Sequence, residues 1–307
     1  MKNPETLPYH LPALLKDSID LLNIKPGGVY IDVTFGGGGH SREILKRLNE
    51  NGRLYSFDRD LDAYENSIDD SRFKFVHGNF RHILNFMKFY DELSIDGIIA
   101  DFGVSFHHFD TPERGFSFRY EAPLDMRMNR ASEKAASSIV NESTEKELLA
   151  ILKIYADLKR PSAIAQAIVE AREKKSIETT TDLTEAVKKS LDPRQEKKEL
   201  AQVFQALRIA VNNEAEDLAI FLNSTLKLLK PGGRLVTLTY HSMEDRMVKN
   251  FFRSGNIDGI EEKDFYGNVN TPWKIIIRKP IEASSQEIEI NPRSRSARLR
   301  AAELMEK

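Results

Sequence analysis

Short apolar runs alternate with amphipathic stretches along the first third of the chain. Residues rich in Val, Ile, Phe or Leu at 29–35, 53–58, 73–77 and 95–101, each bounded by Gly, Asn or Asp, predict four strands. Between the first two, "HSREILKRLNENG" places Ile44, Leu45 and Leu48 on one helical face, with Gly52 expected to end the helix. Strand and helix in alternation imply βαβ units and a parallel sheet.

The pattern changes between about 113 and 212. Glycine stops after Gly115, and "EKELLAILKIYADL", "SAIAQAIVEAREKK" and "TDLTEAVKKSL" carry helical spacing. Thr144 and Glu147 predict a capping box for the first of these helices; Thr181 or Asp182 is expected to cap the third. A long helical stretch then runs from about Glu199 to Leu229, interrupted near "VNNE" and stopped by "KPGG". Strand character returns in "RLVTLTY", followed by a helix, "SMEDRMVKNFF", and a strand, "WKIIIRK". The expected organisation is α/β: a discontinuous sheet domain, 1–112 and 213–307, interrupted by an all-helical insertion, 113–212.

Composition narrows the classes. At 307 residues the chain exceeds what one core comfortably serves, in keeping with a domain plus insertion. The 40% hydrophobic and 30% charged content and mean hydropathy of −0.45 are those of a soluble globular protein. No apolar run approaches the ~18 residues of a membrane helix, and "MKNPETLPYHLP" lacks the apolar stretch of a signal peptide. Cysteine is absent, which removes disulfides, thiolate-held metals and a cysteine nucleophile; no metal site is expected, and a cytoplasmic location is the default. Net charge of −2 argues mildly against a nucleic-acid partner. The stretch "NPRSRSARLR", with Arg293, Arg295, Arg298 and Arg300, is a local basic patch that changes this, unless it is only a solvated basic end.

The chemistry centres on "VYIDVTFGGGGHSREIL". Four glycines between a strand and a helix let a ligand approach the backbone beside the free N–H groups of a helix start. No frame completes G-x-G-x-x-G, because Ser41 or Arg42 stands at the third position, and there is no lysine for a P-loop. S-adenosylmethionine, which carries no phosphate, needs such a loop and a carboxylate for its ribose. Asp58, closing the second strand, stands at the right distance; alone it would be read as a turn residue. Asp32 and Asp101 close the first and fourth strands. Three acids on the carboxyl edge of a parallel sheet argue for a site.

Long blocks carry a resemblance that spans nearly the whole chain: "YHLPALL", "DVTFGGGGHS", "DFGVSFHHFD", "RGFSFRYEAPLDMRM", "FQALRIAVNNE", "PGGRLVTLTYHSMEDRMVKNF" and "NPRSRSARLRAAE". Together they resemble the RsmH/MraW family of bacterial small-subunit ribosomal RNA methyltransferases, which modify the exocyclic N4 of a cytidine in the decoding region. The resemblance implies a Rossmann-like S-adenosylmethionine-dependent methyltransferase sheet with an inserted all-helical domain. It further implies 16S rRNA in the small ribosomal subunit as partner, and S-adenosylmethionine contacts from Gly38, Gly39, His40, Asp58, Phe80 and Asp101, with Phe80 against the adenine. The chain departs from the family's usual "DLGVSSPQLD": a serine becomes Phe106 and a glutamine becomes His108, which is expected to keep a hydrogen bond to the cofactor. "TYHSMEDR" replaces the commoner "SFHSLEDR", and the link before "FQALRI" is longer than usual.

Amino methylation needs an acceptor for the N4 proton. Asp101 or nearby backbone carbonyls are the candidates, and His241, following the fifth strand, is expected near the target base unless Ser242 caps the next helix and His241 is structural. His10 is read in the same way. "RGFSFR" interleaves Arg114 and Arg119 with Phe116 and Phe118, fitting either stacked RNA bases or the buried side of a short strand. The absence of cysteine rules out C5 methylation of cytosine, which needs a thiolate adduct at C6. Two other readings compete: a non-catalytic RNA-binding or assembly factor on the same fold, and an NAD-dependent oxidoreductase. Oligomeric state, a homodimer among the options, is not legible.

Overall fold

The computed structural model describes residues 12–103, 112–129 and 134–306. The chain divides into two units: Met1–Gly103 with Asp217–Lys307, and Val104–Glu216.

The first unit is built on a sheet. Strands β1 (Val29–Asp32), β2 (Arg53–Asp58), β3 (Phe73–His77), β4 (Ile95–Asp101), β5 (Leu229–Thr239), β6 (Trp273–Ile275), β7 (Ile281–Glu282) and β8 (Arg298–Leu304) lie in the order β3-β2-β1-β4-β5-β8-β6, with β7 on β8. The first five are mutually parallel; β8 runs antiparallel to both β5 and β6. A dinucleotide-binding sheet is parallel in the order 3-2-1-4-5-6. The reversed strand between β5 and β6 sets this sheet apart from it.

Side-chain alternation explains why the strands read as continuous apolar runs, since both faces are covered. Ile31, Ile98, Leu235 and Ala302 join one core with Phe221 and Leu222, Val248 and Phe251, and Ile83 and Met87. These come from helices α9 (Glu214–Leu228), α10 (Ser242–Ser254) and α3 (Ile83–Phe89). Tyr30, Ile99, Val236 and Ala301, one register position away, join a second core with Ile19, Leu22, Ile44 and Leu45 of α1 (Leu15–Leu22) and α2 (Gly39–Arg47).

Local expectations need some correction. Helix α2 ends at Arg47, not at Gly52: Leu48 turns to extended backbone and is buried, and Gly52 sits in the turn before β2. The helical stretch ends at Leu228, at "KPGG" as expected, and "KPGG" itself belongs to β5, where pairing with β4 jumps from Ile95↔Leu229 to Gly97↔Arg234. The "WKIIIRK" strand pairs only over Trp273–Ile275.

The second unit is helical: α4 (Ala136–Glu142), α5 (Glu145–Tyr155), α6 (Pro161–Arg172), α7 (Thr180–Lys188) and α8 (Glu196–Asn212) enclose a core that includes Leu148, Ile164, Leu183 and Phe204. Thr144 and Glu147 form the capping box of α5. The cap of α7 is Thr179, with Asp182 at its third position reaching back, rather than Thr181 or Asp182 as expected. The long helical stretch breaks at Asn213, which adopts left-handed backbone (φ 52) between α8 and α9.

Candidate cofactor and active site

The carboxyl ends of β1, β2 and β4 meet beside the glycine turn. β1 lies between β2 and β4, so the strand order reverses here, where open α/β sheets bind ligands. Each acid has a different environment.

Asp32 is fully buried and faces inward. Its Oδ2 accepts from Ser41 Oγ at 2.6 Å, Ser41 meets Ser56 at 2.8 Å, and its Oδ1 accepts from the Thr34 N–H at 3.1 Å. This ties the first turn of α2 to the strand ends. Burial raises its pKa to about 6, against those hydrogen bonds and with the charges of Asp101 and Asp58 adding to the rise. Asp58 is half-buried and accepts from the N–H groups of Gly36 (2.8 Å) and Asp60 (2.9 Å). Burial outweighs those bonds and raises its pKa. Asp101 receives the Gly103 N–H at 3.1 Å and donates its own N–H to Thr34 Oγ1 at 2.7 Å. Burial pushes it up to about 6, while bonds from Gly103 and the Tyr240 hydroxyl act in the opposite direction.

The glycines divide the labour. Gly36 and Gly38 hold positive φ, 50° and 73°. A Cβ on Gly38 would strike the Arg42 guanidinium and the Phe35 ring, and one on Gly39 would strike Pro12. A Cβ on Gly36 would meet nothing within 4 Å, so this is the open side of the turn. His40 opens α2, is 4% exposed, and its Nε2 has no hydrogen-bond partner among the described residues. Burial alone lowers its pKa to about 4, so it is a neutral imidazole with an unused polar atom. The open Gly36 side, the orphaned His40 nitrogen and the Asp58 carboxylate suit a polar ligand of S-adenosylmethionine's kind.

Phe80 forms an edge-to-face cluster with Phe102 and Phe221, centroids 5.4–5.9 Å apart, and keeps part of its surface free. His241 is the N-cap of α10 and forms a capping box with Glu244, whose carboxylate also accepts the Tyr240 N–H at 3.0 Å. Ser242 is the first helical residue rather than the cap. His108, Phe106 and His10 lie outside the described residues. Among the described residues no cluster of three His, Asp or Glu is arranged to hold a metal.

The expected RNA-facing residues fare unevenly. Phe116 is 5% exposed within the helical core, so it cannot stack on a base; Phe118 packs edge-to-face on Phe204 at 5.6 Å. Their alternation is that of a buried segment, though no strand forms. Arg114 lies on the Phe116 ring and donates to the carbonyls of Arg127 (2.7 Å) and Met128 (3.2 Å), whereas Arg119 is exposed. The arginine-rich stretch is no free tail. Pro292–Ser296 is a 3-10 turn leading into β8, where Arg300 is buried against Asp245 and Arg298 pairs with Asp245 (3.2 Å) and Glu282 (3.8 Å). Arg293 is half-buried and Arg295 exposed.

A family model described as the MraW methylase family matches residues 8–305. A protein named ribosomal RNA small subunit methyltransferase H, from Phocaeicola vulgatus, is 55% identical over 295 residues, covering 96% of this chain and 97% of its own. Its namesake from Bacteroides fragilis is 52% identical over 303 residues, 99% of each chain.

Proposed function

Since the chain belongs to the MraW methylase family, we propose that it is an S-adenosylmethionine-dependent methyltransferase acting on the exocyclic N4 of a cytidine in the decoding region of 16S rRNA. The observation that carries this reading is the placement of Asp58 and Asp101 at the ends of β2 and β4, on either side of β1 and its glycine turn. The names of relatives similar over nearly their full length support an rRNA substrate. The small ribosomal subunit is the proposed partner and the cytoplasm the proposed location; no described helix is long and apolar enough to cross a membrane.

S-adenosylmethionine supplies a methyl group already activated on a sulfonium. Asp58 is proposed to hold the ribose hydroxyls with the lone pairs left by the Gly36 and Asp60 bonds. Gly38, Gly39 and His40 form the wall beside the amino-acid part, and Phe80 packs against the adenine. Asp101 is the proposed acceptor: its carboxylate would take the proton that N4 gives up on accepting the methyl group. With a pKa of about 6, Asp101 is mostly ionised at pH 7 yet basic enough to take a proton. His241, next in sequence to Tyr240, is proposed to lie near the base. A paired cytidine would have to leave its stack to reach the strand ends. Arg119, Arg293 and Arg295 are proposed for RNA phosphates; Arg114 and Arg298 serve mainly their own structural partners.

The test is transfer of labelled methyl from S-adenosylmethionine to small subunits lacking this modification, followed by nucleoside analysis. N4-methylated cytidine is the expected product. A different methylated nucleoside would overturn the N4 assignment. Cofactor binding without transfer to any rRNA would favour the assembly-factor reading.

A further inference from the structure

Tyr240 follows β5 directly, and its ring lies against the turn that leaves β4. A Cβ built on Gly103 would fall 3.0 Å from Asp101 Oδ1, 3.0 Å from Tyr240 Cε2 and 3.3 Å from Cζ. A side chain at 103 would press against the ring and the carboxylate together, so that either must give by a few tenths of an ångström. Cζ, which bears the phenol hydroxyl, and Asp101 Oδ1 thus border the same small space over Gly103, which puts the hydroxyl beside the carboxylate. The backbone at each end is also secured: Tyr240 N–H on Glu244 Oε2 at 3.0 Å, and Asp101 N–H on Thr34 Oγ1 at 2.7 Å. Phe102 N–H donates to the Leu238 carbonyl at 2.9 Å, locking the two strand ends in register.

We infer that Tyr240 is a positioning residue of the methyl-transfer site: its hydroxyl, donated to Asp101 across Gly103, fixes the direction in which the carboxylate offers its remaining lone pairs to an incoming amino group. The inference rests on the functional reading above and deepens it. A carboxylate free to rotate would spend part of its time aimed away from the N4 proton. One held by two donors presents a constant face.

The surrounding charges keep the phenol a donor. Glu244 on α10 and Glu287 on α11 (Ser285–Ile290) bring negative charge to Tyr240, and Asp32 at the end of β1 lies near enough to interact with Asp101. Burial, then the charge of Asp101, raise the Tyr240 pKa well above 10, so it stays protonated over the working range. Its hydrogen bond stabilises the ionised form of Asp101 and offsets part of the rise that burial causes.

Tyr240→Phe keeps the ring and its fit over Gly103 and removes only the hydroxyl. Asp101 should then titrate about one unit higher, the size expected for losing a hydrogen bond to a charged group. That shift lowers the ionised fraction at pH 6 about fivefold and at pH 8 hardly at all. We expect kcat to fall about fivefold at pH 6 and to recover by pH 8, with KM for S-adenosylmethionine unchanged. Carbon-detected NMR titration of labelled aspartate carboxyls, with Asp101→Asn assigning the resonance, reads the same shift without turnover. An unmoved Asp101 titration together with a parallel pH–rate profile would overturn the inference. A wild-type protein that transfers no methyl, with the NMR shift still present in Tyr240→Phe, would overturn the functional reading instead. Circular dichroism of the variant separates either result from loss of fold.

Discussion

Arg300 donates from Nε to Asp245 Oδ1 at 2.7 Å and from Nη2 to Oδ2 at 3.1 Å, joining β8 to the first turn of α10. Both side chains are about a tenth exposed. Burial works to raise the Asp245 pKa, but the bonds and charges of Arg300 and Arg298 hold it below the usual carboxylate value. The pair secures the helix whose N-cap is His241, so two motifs far apart in sequence form one support beneath the site.

Arg300→Leu should therefore cost about 3 kcal/mol, because it leaves Asp245 buried with only the half-exposed Arg298 as partner. Urea unfolding measures this. A change below about 0.5 kcal/mol would mean that Arg298 and solvent compensate fully.

The two positive-φ glycines of the turn should separate stability from binding. Gly36→Ala meets open space, so it should cost only the left-handed backbone strain of about 1–2 kcal/mol while weakening S-adenosylmethionine binding at least about tenfold. Gly38→Ala adds a clash 2.8 Å from the Phe35 ring and should lose more stability. Calorimetric titration beside denaturation reads both. Normal affinity in Gly36→Ala would show that the open side does not face the cofactor.

The buried ionisable groups pull stability in opposite directions with pH. Asp32, raised from 3.8 to about 6, contributes stability below about pH 4 that is lost as pH rises through 6. His40, lowered from 6.5 to about 4, contributes stability above about pH 6.5 that is lost as pH falls through 4. Between pH 4 and 6 the two act in opposite directions, and Asp101, also raised to about 6 by burial, adds to the Asp32 side. In Asp32→Asn, stability should climb more steeply from pH 4 to 6 than in the wild type; in His40→Asn it should fall across the same range. Unfolding free energies at four or five pH values decide this, and parallel curves for the three proteins would refute it.

Phe116 and Arg119, three residues apart, should behave as different classes. Phe116→Ala opens the helical core and should cost about 3–5 kcal/mol. Arg119→Ala touches an exposed side chain and should leave stability within about 0.5 kcal/mol. If Arg119 meets phosphate, the same change lowers RNA affinity and reduces the salt slope by about one. An unchanged slope would remove Arg119 from the RNA surface.

Features that depend on neighbours in sequence were legible without the structure. The four early strands follow from apolar runs with turn residues at their ends, the capping box of Thr144 and Glu147 from a spacing of three, and the glycine turn from its own composition. Asp32, Asp58 and Asp101 were recognisable as strand-end acids for the same reason. Their separate environments were not. Burial inside a Ser41–Ser56 network, backbone bonds from Gly36, and a phenol from Tyr240 all come from elsewhere in the chain.

The sequence by itself determined the first four strands, the capped helices of the insertion and the sharp glycine turn, because φ/ψ preference, capping and side-chain periodicity act over a few residues; it did not show β8 or the extended backbone of "KPGG". Only the tertiary structure decided what each polar group does. The arginines of "NPRSRSARLR" read as a free basic patch, yet β8 lies inside the sheet and its Arg300 is neutralised by a carboxylate 55 residues away. Phe116 read as a candidate base-stacker and is core. Tyr240 was one of the letters by which "TYHSMEDR" differs from "SFHSLEDR", and its ring lies beside Asp101 over Gly103. Charge pairing, burial and hydrogen-bond supply are set by which distant segments pack together, and no local pattern encodes the partner.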